Sequence, residues 1–213
     1  MNDFGDFLGT EPAWQRCQLC NVETMRPKCF ACERRLDQAK ERLEQERICG
    51  IPARFDWAQL EAQELADRVK SEMGIATLAK RILEAPNVAV GGGTGVGKTS
   101  LAVACLRRVA PHCLFVRAER LARAPIEHSS GSGEAPIVAR AKNVRVLLID
   151  DLGTDEQTKV SAVRDVVFWR HDAGLSTWIT TGISSSEIEN LYGSGFKRRA
   201  ISEAVTIRLG TKQ

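Results

Sequence analysis

The sequence has no apolar run long enough to cross a bilayer, which excludes a transmembrane helix. Its first residues, "MNDFGDFLGTEP", are acidic and lack the basic-then-apolar order of a secretory leader. A strong charge of one sign is missing too: 30 Lys and Arg against 27 Asp and Glu leave a net +3, so composition alone demands no nucleic-acid partner. There is no internal repeat. These absences predict a protein of the reducing cytoplasm with no membrane partner, in which seven cysteines are better explained by metal or burial than by disulfides. What is present is a chain of 213 residues, 43% hydrophobic and 27% charged, enough for one domain of ordinary size and a small appendage.

Three regions separate by pattern. Residues 1–13 are polar, Gly-containing and without periodicity, and are expected to be loose. Residues 14–49 hold four clustered cysteines and then "ERRLDQAKERLEQER", a helix with five acidic and five basic side chains. Its apolar stripe (Leu36, Ala39, Leu43) is narrow and suits a single seam or an exposed stalk rather than a core helix. Residues 50–213 alternate helical and strand patterns. Ala58, Ala62, Leu65, Val69 and Met73 predict a helix up to Gly74, and Ile75, Leu78, Ala79, Ile82 and Leu83 a second that ends before Pro86. Strands are expected at 88–90, 113–117, 144–149, 177–181 and 204–209, with helices between most of them, hence a largely parallel, wrapped sheet. "PIEHSSGSGEAP" (125–136) reads as a surface loop, and "SSSE" (Ser184 to Glu187) as a capping box opening the helix through Tyr192.

"GGTGVGKT" fits G-x-x-x-x-G-K-[ST] between a strand and the helix "SLAVACLRRVA". Glycines there let backbone N–H groups converge on phosphate oxygens, and the helix N-terminus favours negative charge. The predicted cradle is Gly92, Gly93, Thr94, Gly95, Val96, Gly97, Lys98, Thr99 and Ser100, with Lys98 reaching the β- and γ-phosphates of ATP and the Thr99 hydroxyl ligating Mg²⁺. In "VLLIDDLG" a buried strand delivers Asp150, 52 residues beyond Lys98, to the Mg²⁺ water shell, and Asp151 to the attacking water. If "TWITT" lies between those two strands, the hydroxyl of Thr180 or Thr181 can touch the γ-phosphate or that water; both also suit a strand for their β-propensity alone. No acceptor-substrate or lid motif appears, which disfavours a nucleotide kinase.

"GIPARF", "GGTGVGKT", "LLIDDLGT", "ITTGIS" and "YGSGFKRRAIS" stand in an order that resembles the DnaC/IstB-like AAA+ ATPases, over residues 50–210. That family includes bacterial and phage helicase loaders and the ATPase subunits of some transposition systems. The resemblance implies a three-layer α/β AAA+ core with a five-stranded sheet and no C-terminal lid domain. It implies Arg199 as an arginine finger acting in a neighbouring subunit, hence self-association on ATP binding, with Arg198 and Arg170 as substitutes. The bare "FKRR" cluster also reads as a solvated or DNA-facing surface. Where the family strand usually ends in asparagine this chain has Gly182, which leaves Thr181 to serve as the polar sensor. The implied function is a slow, nucleotide-controlled ATPase that places a replicative helicase on single-stranded DNA. The alternatives are a transposition ATPase that recruits a transposase, or a nucleotide-gated adaptor.

"CQLCNVETMRPKCFAC" is C-x₂-C-x₈-C-x₂-C, so Cys17, Cys20, Cys29 and Cys32 can supply four thiolates to one structural Zn²⁺. Arg16, Arg26, Lys28, Arg34 and Arg35 outnumber Glu23 and Glu33 around it, and Trp14 and Phe30 can stack on bases or pack on a protein. Cys49, Cys105 and Cys113 have no partner spacing and read as ordinary thiols.

Overall fold

Residues 14–129, 131–154 and 161–210 are described by a computed structural model. The N-terminal stretch expected to be loose lies outside them. The chain divides into two compact units, Met1–Glu44 and Gln45–Gln213.

In the first unit, β1 (Gln15–Arg16) pairs antiparallel with β2 (Glu23–Thr24). The turn between them closes through Cys17 N–H to the Val22 carbonyl (2.8 Å) and Asn21 N–H to the Cys17 carbonyl (3.0 Å). Asn21 takes φ +59°, a left-handed conformation that asparagine tolerates in turns. Helix α1 runs Phe30–Ile48 and carries Cys32 in its first turn. Its charged middle is exposed, as the narrow stripe predicts; Glu46 in its last turn and Cys49 just after it belong to the second unit and are buried there.

The second unit continues with a 3-10 turn (Ala53–Phe55), α2 (Gln63–Arg68), α3 (Ile75–Glu84) and β3 (Asn87–Gly91). Then come α4 (Lys98–Leu106), β4 (Cys113–Arg117), α5 (Ala118–Glu127), α6 (Pro136–Asn143) and β5 (Val146–Leu152). The described chain closes with α7 (Ser161–Asp172), β6 (Ser176–Thr181), α8 (Ser185–Tyr192), α9 (Ser194–Lys197), a π-helical turn (Arg198–Ser202) and β7 (Val205–Arg208).

Five strands form one parallel sheet in the order β4-β5-β6-β3-β7. Successive strand residues point to opposite faces, so β5 splits its aliphatics between two cores. Val146 and Leu148 join the helices α3 and α4, whereas Leu147 and Ile149 join α5, α7 and α8. Three layers result. The order sets β6 between the strand that feeds the phosphate loop and the strand that carries the aspartates.

Two expected elements differ. The helix expected over 58–73 is helical only across α2, because the backbone beyond it has other partners. Lys70 N–H donates to the Val96 carbonyl (3.1 Å) and the Lys70 carbonyl accepts from Gly210 N–H (2.7 Å). Ala58, Leu65 and Val69 are nonetheless buried, so the apolar pattern was correct and the helical period was not. The loop expected over 125–136 is shorter, since α5 continues through Pro125 to Glu127 and Pro136 opens α6. The Ser184–Glu187 capping box is formed as expected, with Glu187 N–H donating to Ser184 Oγ (3.2 Å) and Ser184 N–H to the Glu187 carboxylate (2.7 Å).

Candidate nucleotide site

Between β3 and α4 the loop of residues 92–97 needs glycine at two places for steric reasons. Gly92 has φ +147°, and a Cβ there would stand 2.4 Å from the Leu209 carbonyl oxygen. Gly97 has φ +90°, and a Cβ would stand 2.9 Å from the Arg68 carbonyl oxygen. No side chain caps α4, so its first N–H groups face the loop unblocked, the arrangement that binds phosphate. Gly93, Thr94 and Gly95 are exposed on the loop, Val96 and Thr99 are half-buried, and Lys98 and Ser100 are buried. Lys98 Nζ donates to the Gly92 (2.8 Å) and Gly93 (2.7 Å) carbonyls, so its charge lies within the loop that would receive the phosphates.

Opposite the loop, β5 changes register against β6. Ile149 pairs with Ile179, but the next pair is Leu152 with Thr181, which leaves Asp150 and Asp151 facing the single residue Thr180. This bulge lets consecutive aspartates serve one site. Asp151 takes φ +55°, a conformation that disfavours non-glycine residues and tends to mark functional positions. Thr180 joins the two: its hydroxyl donates to Asp150 Oδ1 (2.6 Å) and accepts from Asp151 N–H (3.0 Å). Thr99 donates to the same Oδ1 (2.7 Å).

Asp150 is fully buried, and its second oxygen, Oδ2, has no hydrogen-bond partner. Burial pushes its pKa above the ordinary carboxylate value, against the lowering by the Thr180 and Thr99 hydroxyls; Asp151 raises it further and Arg117 opposes. A buried, unpartnered carboxylate oxygen beside a threonine hydroxyl fits a divalent cation of the Mg²⁺ kind. Arg117, at the end of β4, lies 3.6 Å from Asp151 Oδ2, with both side chains partly exposed.

The surrounding cleft encloses about 730 Å³, the size of a nucleotide pocket. Its lining brings Arg54, Phe55 and Lys70 together with the phosphate-loop residues, Asp151 and Gly182.

Lys98, Thr99, Asp150 and Asp151 are therefore brought together. Thr181 is adjacent, but its hydroxyl donates to the Leu152 carbonyl (2.9 Å), and Thr180 makes the contacts to the aspartates. The sequence reading gave the sensor role to Thr181, and the bulge is what sets Thr180 rather than Thr181 against Asp150. Arg117 was missed altogether, although its register opposite Asp150 follows from the strand order.

Arg199 stacks its guanidinium 4.5 Å over the Phe168 ring and donates to the Gly195 carbonyl (3.2 Å). Arg198 pairs with Glu203 (3.2 Å). Arg170 cannot substitute as a finger. It is fully buried in donor contacts to Thr177 Oγ1 (3.0 Å) and to the Ala141 and Val144 carbonyls (both 2.8 Å), and leaving them would expose those acceptors unpaired.

In the first unit the sulfurs of Cys17, Cys20, Cys29 and Cys32 all lie within 4.8 Å of one another, with Cys20 and Cys29 3.5 Å apart. A tetrahedral zinc with Zn–S bonds of about 2.3 Å sets sulfurs roughly 3.8 Å apart, so the donor set fits. Cys29 N–H donates to Cys17 Sγ (3.3 Å) and leads the contacts that bring the Cys17 thiol down to about 6; hydrogen bonding to Cys20 leads those that push Cys32 up to about 12. Cys49, Cys105 and Cys113 are buried in the main core.

A family model described as "IstB-like ATP binding protein" matches residues 33–207. No curated protein matches. Among solved structures, the chain is similar to the DnaC helicase loader, at 20% identity and TM-score 0.59, over 75% of this chain and 100% of that one. It is also similar to DnaI, at 21% identity and TM-score 0.58, over 76% and 93%. AMPPCP-bound DnaA from Aquifex aeolicus matches at 17% identity and TM-score 0.51, over 65% of this chain and 44% of that one. At these identities the likeness is one of fold, and the three-layer AAA+ architecture implied by the sequence is the architecture observed.

Proposed function

We propose that this chain, which belongs to the IstB-like ATP-binding protein family, is a nucleotide-controlled switch that binds Mg·ATP tightly, hydrolyses it slowly and loads a replicative helicase onto single-stranded DNA. One observation carries the nucleotide half of this reading: the buried, unpartnered Oδ2 of Asp150 beside the Thr99 hydroxyl, at the mouth of a glycine-lined helix N-terminus. Mg²⁺ would be held by Thr99 and Asp150 and would neutralise charge on the β- and γ-phosphates. Lys98 leaves the loop carbonyls for phosphate oxygens as ATP enters. Thr180 fixes both aspartates to one hydroxyl, and Asp151 orients the water.

Several features favour holding ATP over burning it. Many fast ATPases of this kind carry a glutamate where this chain has Asp151; aspartate is one methylene shorter, and a misplacement near 1 Å can cost about a hundredfold in rate. Arg117 pairs with the Asp151 carboxylate, a half-exposed contact of about 1 kcal/mol or less that competes with a water for it and that a partner could release. Gly182 offers no side chain to the water, and Thr181 is committed to a backbone carbonyl. A lone subunit also lacks a neighbour's arginine, worth roughly 10³–10⁵ in related phosphoryl transfers. Arg199 is the proposed finger: its stacking on Phe168 contributes about 0.5–1 kcal/mol, a hold that assembly can break.

The helicase half rests on the fold shared with the DnaC loader and DnaI, with the Cys₄ zinc module as the additional binding element. The resemblance to the DnaC/IstB-like ATPases keeps a transposition ATPase as the second reading. Native pull-down of the tagged chain separates them. A co-purifying replicative helicase supports the loader; a transposase in its place supports the second reading; neither one points to a nucleotide-gated adaptor.

A further inference from the structure

A buried ion pair stands beside the turn that supplies Arg54 and Phe55 to the cleft lining. Arg107 follows the last residue of α4, the helix that begins at Lys98. Its Nη1 lies 2.7 Å from Glu46 Oε2, with side chains only 4% and 6% exposed. Its Nη2 donates to the Phe55 carbonyl (2.9 Å) and lies 3.4 Å from Asp56 Oδ1. Arg54 and Phe55 face the cleft, with the Arg54 guanidinium 4.8 Å from the centre of the Phe55 ring. Trp57 Nε1 donates to the Arg54 carbonyl (2.9 Å), and Arg68, another wall residue, sits 4.2 Å over the Trp57 ring. One guanidinium thus joins the tail of the phosphate-loop helix, the turn that walls the cleft and the last turn of α1.

Stability does not explain the pair. Burying an arginine and a glutamate costs desolvation that their attraction barely repays, and apolar residues of the same volume commonly do as well or better. What the guanidinium supplies is geometry: a planar group that stays paired with Glu46 while one arm donates to the Phe55 carbonyl, which an apolar contact cannot provide.

We propose that Arg107, anchored by Glu46, is a positioning residue for nucleotide binding: it holds the Ala53–Phe55 turn in place as the base-side wall of the cleft. The inference rests on the ATP reading above: Arg54 and Phe55 line the same cleft as the phosphate loop and Asp151 but hold neither phosphate nor metal in that reading, which leaves them to the base and ribose. A pre-set wall removes the ordering cost that a loose turn would charge against affinity. Arg107 does not touch the triphosphate, so its effect must appear only for ligands that have a base.

The test compares Mg·ATP with Mg·tripolyphosphate, by calorimetry on the full chain. Arg107→Lys keeps a charge for Glu46 but loses the second donor direction. The expected result is an ATP Kd raised about tenfold with the tripolyphosphate Kd changed less than twofold. Equal weakening of both ligands, or no change in either, overturns the proposal and leaves Arg107 a general packing element. Hydrogen exchange on the unmodified protein decides the matter even where the variant does not fold. ATP should slow exchange at the amides of Phe55, Asp56 and Ala58 and also at Cys49 to Ile51, while tripolyphosphate should slow neither group. Protection limited to the phosphate loop with both ligands overturns the proposal. Failure of the unmodified protein to bind ATP at all, with tripolyphosphate still bound, would refute the ATP reading itself and this inference with it.

Discussion

Replacing Asp150 with asparagine should make the nucleotide-free protein more stable while weakening its use of Mg²⁺. The carboxylate is wholly buried, accepts only from Thr99 and Thr180, both through Oδ1, and leaves Oδ2 without a partner. Its pKa is raised, so burial outweighs the two hydroxyl bonds and the fold disfavours the charge. The folded protein therefore keeps this proton at pH values where the unfolded chain has lost it. Stability of the wild type should fall as pH rises from the ordinary carboxylate value through the raised one, and the loss persists at neutral pH. Asparagine keeps an acceptor for both threonines and removes the charge. With a penalty for a poorly satisfied buried polar group of about 1–3 kcal/mol, and weaker hydroxyl bonds as a partial offset, the net gain should be about 1–2 kcal/mol. For a chain of this size that raises Tm by roughly 2–8 °C. Melting curves at neutral pH, with and without Mg·ATP, check both halves. The wild type should gain strongly from Mg·ATP and the variant much less. A variant that melts below the wild type without ligand, or gains as much as the wild type from Mg·ATP, would mean that Asp150 is an ordinary structural carboxylate.

Three further expectations follow from the same contacts. Removing metal with a chelator, or substituting Cys17→Ser, should release one zinc per chain by metal analysis and unfold the N-terminal module, with ATP binding retained, because four-thiolate zinc sites contribute about 10 kcal/mol or more. Arg170→Met should destabilise by about 3 kcal/mol or more in chemical denaturation, since it strips the buried Ala141 carbonyl and the half-buried Val144 carbonyl of a donor. Arg199→Ala should abolish assembly-stimulated turnover without changing ATP affinity. Mixing it with Lys98→Ala protein should restore part of the turnover, and no recovery in confirmed mixed assemblies would assign the basic cluster to a surface role.

The chemistry of the site was legible from sequence where a single short segment carries it. The phosphate loop needs glycines at 92 and 97 because other backbone crowds them, and that need is written as a motif. The Cys₄ spacing was equally plain, as was the alternation that makes five wrapped parallel strands. What was not legible depends on how distant segments meet. A bulge decides that Thr180 rather than Thr181 contacts Asp150. The Lys70 backbone is taken by Val96 and Gly210, which ended a helix whose apolar period looked continuous. Arg170, named from the resemblance as a substitute finger, is the largest fully buried side chain among the described residues. Glu46 closes a highly charged helix and becomes the counter-charge of a buried arginine 61 positions later.

The most direct test of the switch is single-turnover hydrolysis of Mg·ATP by the isolated, monomeric protein, with binding measured in the same samples. Tight binding should be accompanied by turnover well below the range of about 1–10³ s⁻¹ typical of working enzymes, rising when single-stranded DNA or the partner helicase is added. Turnover inside that range with neither present would contradict the account.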